Sequence, residues 1–239
     1  MDLRSALRNI HSDRFWWRKT LIGGALMLTI IGYPWAEGMV MESLDNTRKG
    51  FPTPLPPWRE WATRYLIGLF AILIDFVFFV LPAFVIGLLF FCGALVTVAS
   101  EVASLGWLAP VSALLLLLYE LVVFSLSIAP IGRLIYVEKG RPEEAMSVQS
   151  LRTALDPHAR SRYAAARLRS LPAYLPVLLF GIASWLVGRT AVPGALPVAL
   201  LLLWLAFSAL LYAHLVVIQL YAATERVLRY GGGAKPVAR

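Results

Sequence analysis

Residues 65–98 read YLIGLFAILIDFVFFVLPAFVIGLLFFCGALVTV, apolar throughout except for Asp75. As a helix this run is ~51 Å long at ~1.5 Å per residue, and a helix apolar on every side belongs in a large core or in a bilayer. The hydrocarbon layer is only ~30 Å thick, so the excess length demands tilt, a bend or two spans. Pro82 marks where a bend would fall, because it has no N–H and crowds the preceding turn. A tight hairpin there would put apolar residues 79–84 at a water interface. One long Pro-kinked helix is therefore the favoured reading, with two short spans as the alternative.

The rest of the chain agrees with a bilayer. Of 239 residues, 59% are hydrophobic and 15% charged, and the mean hydropathy is +0.71. That is too little charge to coat a soluble surface, so the class is polytopic membrane protein. Eight Trp and nine Tyr suit the membrane–water boundary. The net charge of +8 sits in the loops between apolar runs, the pattern of cytoplasmic loops and anionic headgroups rather than of nucleic acid. Cys92 is the lone cysteine, which excludes an intrachain disulfide and a thiolate metal cluster. The start, MDLRSALRNIHSDRFWWRKT, is too polar for a secretory signal.

One polytopic domain is expected, all-α, with about four transmembrane helices and cytoplasmic interfacial helices. Residues 1–18 read as an amphipathic interfacial helix, Leu3, Leu7, Ile10, Phe15 and Trp16 opposing Arg4, Arg8, Arg14 and Arg18. Residues 19–64 form a broken helix and a Pro-rich interfacial ramp. Residues 20–31 cover only ~18 Å before Gly32-Tyr33-Pro34, which leaves a kinked spanning helix or a re-entrant hairpin. Charge counting favours the hairpin, because a span would carry Arg48, Lys49, Arg59 and Arg64 outside. In the ramp, Pro52, Pro54, Pro56 and Pro57 exclude a helix interior. Pro57 suits the first position of the next helix, with Trp58 and Trp61 as interfacial anchors.

Residues 65–132 hold helical spans, joined by an outer loop at 101–106 that lacks Lys and Arg. Residues 133–170 carry seven Arg and one Lys and are expected in the cytoplasm, with helices opened by Pro142-Glu143-Glu144 and Asp156-Pro157. Residues 171–225 carry two further spans, and 226–239 a flexible tail. IGYPWAEGMVMESLDNTRKG and IAPIGRLIYVEKGRPEEAM echo each other loosely, and internal repeats are common in transporters.

Several short motifs recur in order along nearly the whole chain. They are Trp16-Trp17-Arg18-Lys19 with Leu21-Ile22-Gly23-Gly24, Gly32-Tyr33, Leu55-Pro56-Pro57-Trp58, and Leu81-Pro82. Pro130 with Arg133-Leu134-Ile135-Tyr136 and Gly140 follows, then His214-Leu215 with Gln219-Leu220-Tyr221. In this order the chain resembles a bacterial and archaeal membrane-protein family of unknown function, DUF4013. Pro34-Trp35 departs from it, standing where the family has an aliphatic run. The resemblance implies a fold in a prokaryotic cell membrane, and the charge pattern places the multi-pass chain with both termini expected in the cytoplasm. It implies no activity, and no functional residue carries over.

Catalytic motifs are absent: no H-E-x-x-H, no G-x-S-x-G, no phosphate loop and no dinucleotide glycine pattern. The chain therefore reads as a non-enzyme. Its candidate residues are the ionisable groups at membrane depth, Glu37, Asp75, Glu120 and His214, each of which costs several kcal/mol there unless paired. They form either a proton or cation relay centred on Glu120, or a structural set in which a protonated carboxyl hydrogen-bonds a neighbouring helix, with Asp75 or Glu37 as partners and His214 bonded to a facing helix, at Glu120 for example. With no basic residue expected at depth, the structural reading is favoured. His214 is also a candidate ligand for haem or a chlorophyll-type pigment, although no cofactor is otherwise called for. Arg160, Arg162, Arg167 and Arg169, with Trp58 and Trp61, are expected to meet lipid headgroups or a partner. The expected function is non-catalytic, a scaffold or accessory subunit bound to lipids and other integral subunits. A small-solute or ion transporter using the buried acids is the alternative.

Overall fold

The computed structural model describes residues 3–99, 108–190 and 192–231, and the regular elements among them are all helical. The expected outer loop at 101–106 and the last residues of the expected tail lie outside this set. The N-terminal stretch is two helices rather than one. α1 (Leu3–His11) buries Ala6 and Ile10, and α2 (Trp16–Met27) begins after a turn. In that turn Asp13 accepts from the Phe15 backbone N–H (2.8 Å) and the Lys19 ammonium (2.5 Å).

α3 (Tyr33–Lys49) follows a five-residue break. Pro34 is harmless in its first turn, where an N–H has no helical partner. Gly32 is required in the break: a Cβ there would lie 2.4 Å from both the Leu26 carbonyl and the Thr29 hydroxyl. α2 and α3 then run in opposite directions along α12 (Ala195–Tyr230). Trp16 meets Tyr212 and Gly24 meets Ser208, so α2 descends α12 as its own number rises. Glu37 meets His214 and Arg48 meets Glu225, so α3 ascends it. Asn9 and Thr47 therefore reach the same side chain, Gln219, at 2.6 and 3.0 Å, and Ser12 donates to the Pro52 carbonyl. The broken helix is a hairpin that returns to its starting level. Its tip exposes Ile30 (95%) and Ile31.

α4 (Trp61–Asp75) packs antiparallel on α3 through glycines. A Cβ on Gly68 would sit 1.7 Å from the Pro34 carbonyl, and one on Gly38 2.1 Å from the Arg64 carbonyl. The helix begins at Trp61, not at Pro57 as expected, because Glu60 adopts a left-handed φ of 54° and residues 51–60 are irregular. That segment is pinned by Arg64, 2% exposed, which pairs with Glu42 (2.5 and 3.0 Å) and donates to the Pro57 carbonyl (2.7 Å).

The long apolar run is one continuous helical path, with α4 followed by a π turn (Phe76–Val80) and α5 (Leu81–Ala99). The π turn falls where Pro82 withholds an N–H, and such single-turn π bulges are a recognised way to absorb a misfit. The Phe78 carbonyl, four residues before the proline, accepts from the Tyr119 hydroxyl at 2.7 Å. A backbone group that would be costly to strand in lipid is thereby satisfied by the next helix.

α6 (Leu108–Leu126) and α7 (Ile128–Lys139) bend by 44° at Ser127, whose φ is 58°. The stretch expected in the cytoplasm contains α8 (Pro142–Ala145), α9 (Val148–Leu155) and α10 (Pro157–Ser170), the last capped by Asp156 accepting from the His158 N–H. A 3₁₀ turn (Leu171–Tyr174) leads from α10 into α11 (Leu175–Gly188). α12 continues helical to Tyr230, past the boundary expected for the tail.

Among the described residues, three runs are long and apolar enough to cross a membrane: Trp61–Leu95, Pro157–Gly188 and Ala195–Tyr230. The bent pair Val111–Leu126 and Ile128–Lys139 makes a fourth if counted together. The protein is thus an all-α membrane protein with three to four such helices. Its packed core surrounds the later half of α12, where Leu211, Leu215, Leu220 and Tyr221 are buried, while Leu196, Leu200 and Leu201 near its start are exposed.

Candidate functional site

The hairpin, α4, α7 and α12 converge on one buried ionic cluster. Glu37 is fully buried, placed there by the close approach that Gly38 and Gly68 permit. Its Oε1 lies 2.9 Å from His214 Nδ1 and its Oε2 2.8 Å from Arg133 Nη1. The second contact is ionic but off the N–H direction, so Oε2 gains charge compensation without an aligned hydrogen bond. Arg133 turns its Nε and Nη2 to the two oxygens of Asp75. Glu37 and Asp75 therefore share one guanidinium, the planar fork best suited to such sites. The two loosely echoing segments meet here, one supplying Glu37 and the other Arg133.

Two expectations are corrected. A basic residue does stand beside the buried acids: Arg133 lies inside α7, flanked by the buried Ile131, Gly132, Leu134 and Ile135, and not in a solvated loop. Its apolar surroundings, Ile128-Ala129-Pro130-Ile131-Gly132 before and Leu134-Ile135-Tyr136-Val137 after, were the signal for this. The partner of His214 is Glu37 and not Glu120. Glu120 is half-buried on α6, apart from the cluster, and makes no hydrogen bond or ion pair to any described residue.

Beside the cluster is a cavity of about 220 Å³, walled by Asp75, Arg133, Arg167, Tyr174, His214 and Tyr221 with apolar side chains between them. The arginines of α10 divide at this point. Arg160, Arg162 and Arg169 are exposed, whereas Arg167 is 6% exposed and faces inward. Its guanidinium lies 4.1 Å from the Phe124 ring and 5.7 Å from the Tyr221 ring. It forms no hydrogen bond or ion pair with any described residue, and its Nε is buried without a partner. The aromatic anchors also divide: Trp61 is exposed, while Trp58 is half-buried, stacked on Trp61 and lying under Arg64.

His214 engages Glu37 through Nδ1, which leaves Nε2 as the ring nitrogen for a ligand; the cavity beside it, at about 220 Å³, is below the ~300 Å³ where pockets for sizeable ligands begin and is small for a porphyrin-type macrocycle. Among the described residues, no group of three His, Cys, Asp or Glu side chains could hold a metal ion.

A second ionic network ties the ends of α3, α7 and α12 and was not foreseen, because residues 226–230 were taken as tail. Arg48 pairs with Glu225 (3.0 Å), Arg229 with Glu225 (2.9 Å) and with both oxygens of Glu138, and Arg226 donates to the Thr47 carbonyl. These groups rim a mixed-charge groove of about 650 Å³.

No curated protein and no solved structure matches the chain. A family profile described as "Protein of unknown function (DUF4013)" matches residues 21–187. The match takes in Glu37, Asp75, Arg133 and Arg167 and ends before the helix that carries His214. Covering well over half of the chain, from the hairpin through α11, it establishes that this membrane protein belongs to the DUF4013 family.

Proposed function

We propose that this protein is a non-catalytic subunit, a scaffold or accessory component, of a larger assembly in a prokaryotic cell membrane, with both termini cytoplasmic. The observation carrying the proposal is Glu120. It sits on α6 among Leu114, Leu115, Leu117, Leu118 and Leu121, all exposed, with no described residue paired to it. An ionisable group on an apolar helix costs ~2.5–3.5 kcal/mol at the bilayer centre on insertion scales. A donor on a neighbouring integral protein removes that cost. The orientation follows from charge: α1, the end of α3 and the end of α12 gather at one level, and they carry Arg4, Arg8, Arg48, Lys49, Arg226 and Arg229.

The test is a pull-down of the tagged protein from its native membrane in mild detergent, read by mass spectrometry. A stoichiometric integral partner that is lost from Glu120→Leu supports the subunit reading. A clean monomer or homodimer sinks it. The second reading, transport of an ion or small solute, draws on Asp75, whose side chain is 34% exposed beside the cavity. It requires that Glu37→Gln and Asp75→Asn abolish flux in proteoliposomes while the protein still folds.

A further inference from the structure

We propose that the cavity between α7, α10 and α12 is a binding site for a phosphate-type oxyanion, seated on Arg167 as the headgroup of an anionic amphiphile. The structure leaves Arg167 as the unspent charge of the core. Arg133 is engaged by Glu37 and Asp75, and His214 by Glu37. Arg167 has only ring faces for company, and its Nε has no acceptor. A guanidinium buried without an acceptor carries a desolvation cost that an entering oxyanion relieves, and its fork matches phosphate oxygens two at a time.

Asp75 is the one carboxylate on the cavity wall, and its oxygens are already turned to Arg133. Tyr174 and Tyr221 also line the cavity; the Tyr221 hydroxyl donates to Ser127. The remaining wall is apolar, including Phe79, Leu134, Val217 and Ile218. This suits the glycerol and first methylenes of a lipid better than a bare hydrated ion. About 220 Å³ is room for a headgroup.

The experiment is thermal unfolding of the purified full chain in neutral detergent, followed by tryptophan fluorescence. The additions are phosphatidylglycerol, phosphatidylcholine or inorganic phosphate at constant ionic strength. At a hundredfold excess over Kd, phosphatidylglycerol is expected to raise Tm by roughly 5–10 °C, saturably, and phosphatidylcholine to leave it unchanged. Inorganic phosphate giving the same rise identifies a free oxyanion as sufficient; phosphatidylglycerol alone giving it identifies the lipid. Arg167→Gln abolishes either rise. The triple variant Arg160→Gln/Arg162→Gln/Arg169→Gln, altered only at exposed positions, retains it and keeps the test decisive should Arg167→Gln fold poorly. Four results overturn the proposal: no anion-dependent shift, an equal shift with phosphatidylcholine, an equal shift in Arg167→Gln, or loss of the shift in the triple variant.

Discussion

Replacing Arg133 by methionine removes the cation shared by two acids while keeping much of the side-chain volume. Glu37 is fully buried and is left with His214 and the neighbouring Tyr33 side chain but no full positive partner, and Asp75, about a third exposed, keeps some access to solvent. Breaking a buried ion pair from one side costs about 3–5 kcal/mol, because the charge left behind has lost its compensation, and most of that falls on Glu37. For a chain of this size each kcal/mol moves Tm by ~2–4 °C, so a fall of roughly 6–20 °C is expected. The assay is unfolding in detergent followed by tryptophan fluorescence. The companion variant Glu37→Gln/Asp75→Asn/Arg133→Met removes all three charges at nearly constant shape. It is expected to lie within ~1–2 kcal/mol of the parent, since uncharged replacement of a buried ion cluster is often neutral. If Arg133→Met melts like the parent, or if the triple variant is as unstable as the single one, the cluster is not the charge-compensated set described above.

Other outcomes follow from packing and backbone accounting. Gly68→Ala puts a methyl into the Pro34 carbonyl and is expected to cost ~1–3 kcal/mol or more. Gly87→Ala, with nothing within 4 Å, is expected to gain ~0.5–1 kcal/mol from helix propensity; equal melting temperatures would refute the close-packed α3–α4 contact. Tyr119→Phe strands the Phe78 carbonyl and is expected to cost ~1–3 kcal/mol, a penalty that shrinks in a Pro82→Ala background, as a double-mutant cycle would measure. Arg229→Ala removes a partly exposed network member and is expected to change stability by less than ~1 kcal/mol; a larger loss would mean that the ends of α7 and α12 depend on it.

Local patterning carried much of the architecture. Membrane class follows from composition, the hairpin from the Gly32-Tyr33-Pro34 break with the charges that come after it, and the bend near Pro82 and the Asp156 cap from a few adjacent residues. Composition, proline chemistry and helix capping act over one or two turns, and short-range signals of that kind survive in a linear reading. Where the reading failed, the deciding contact was distant in the chain. Arg133 was placed in water because it opens a basic stretch, yet Glu37 and Asp75 draw it into the core. Glu120 looked central from its place in α6, yet no described residue pairs with it, and the carboxylate that meets His214 is Glu37.

The arginines of α10 show the division in one helix. Their charge and spacing are legible, and they announce a basic element near a membrane surface. Which of them turns inward is not legible, because Arg160, Arg162, Arg167 and Arg169 are chemically alike and differ only in the face they occupy. That face is set by α12 and α6 packing against Tyr163, Ala166 and Arg167. The sequence alone determined that this chain lives in a membrane and where its helices break, since both depend on local hydropathy and backbone chemistry. Only the tertiary structure decided which charges are compensated and which one is left over, since charge compensation acts through space between helices far apart in the chain.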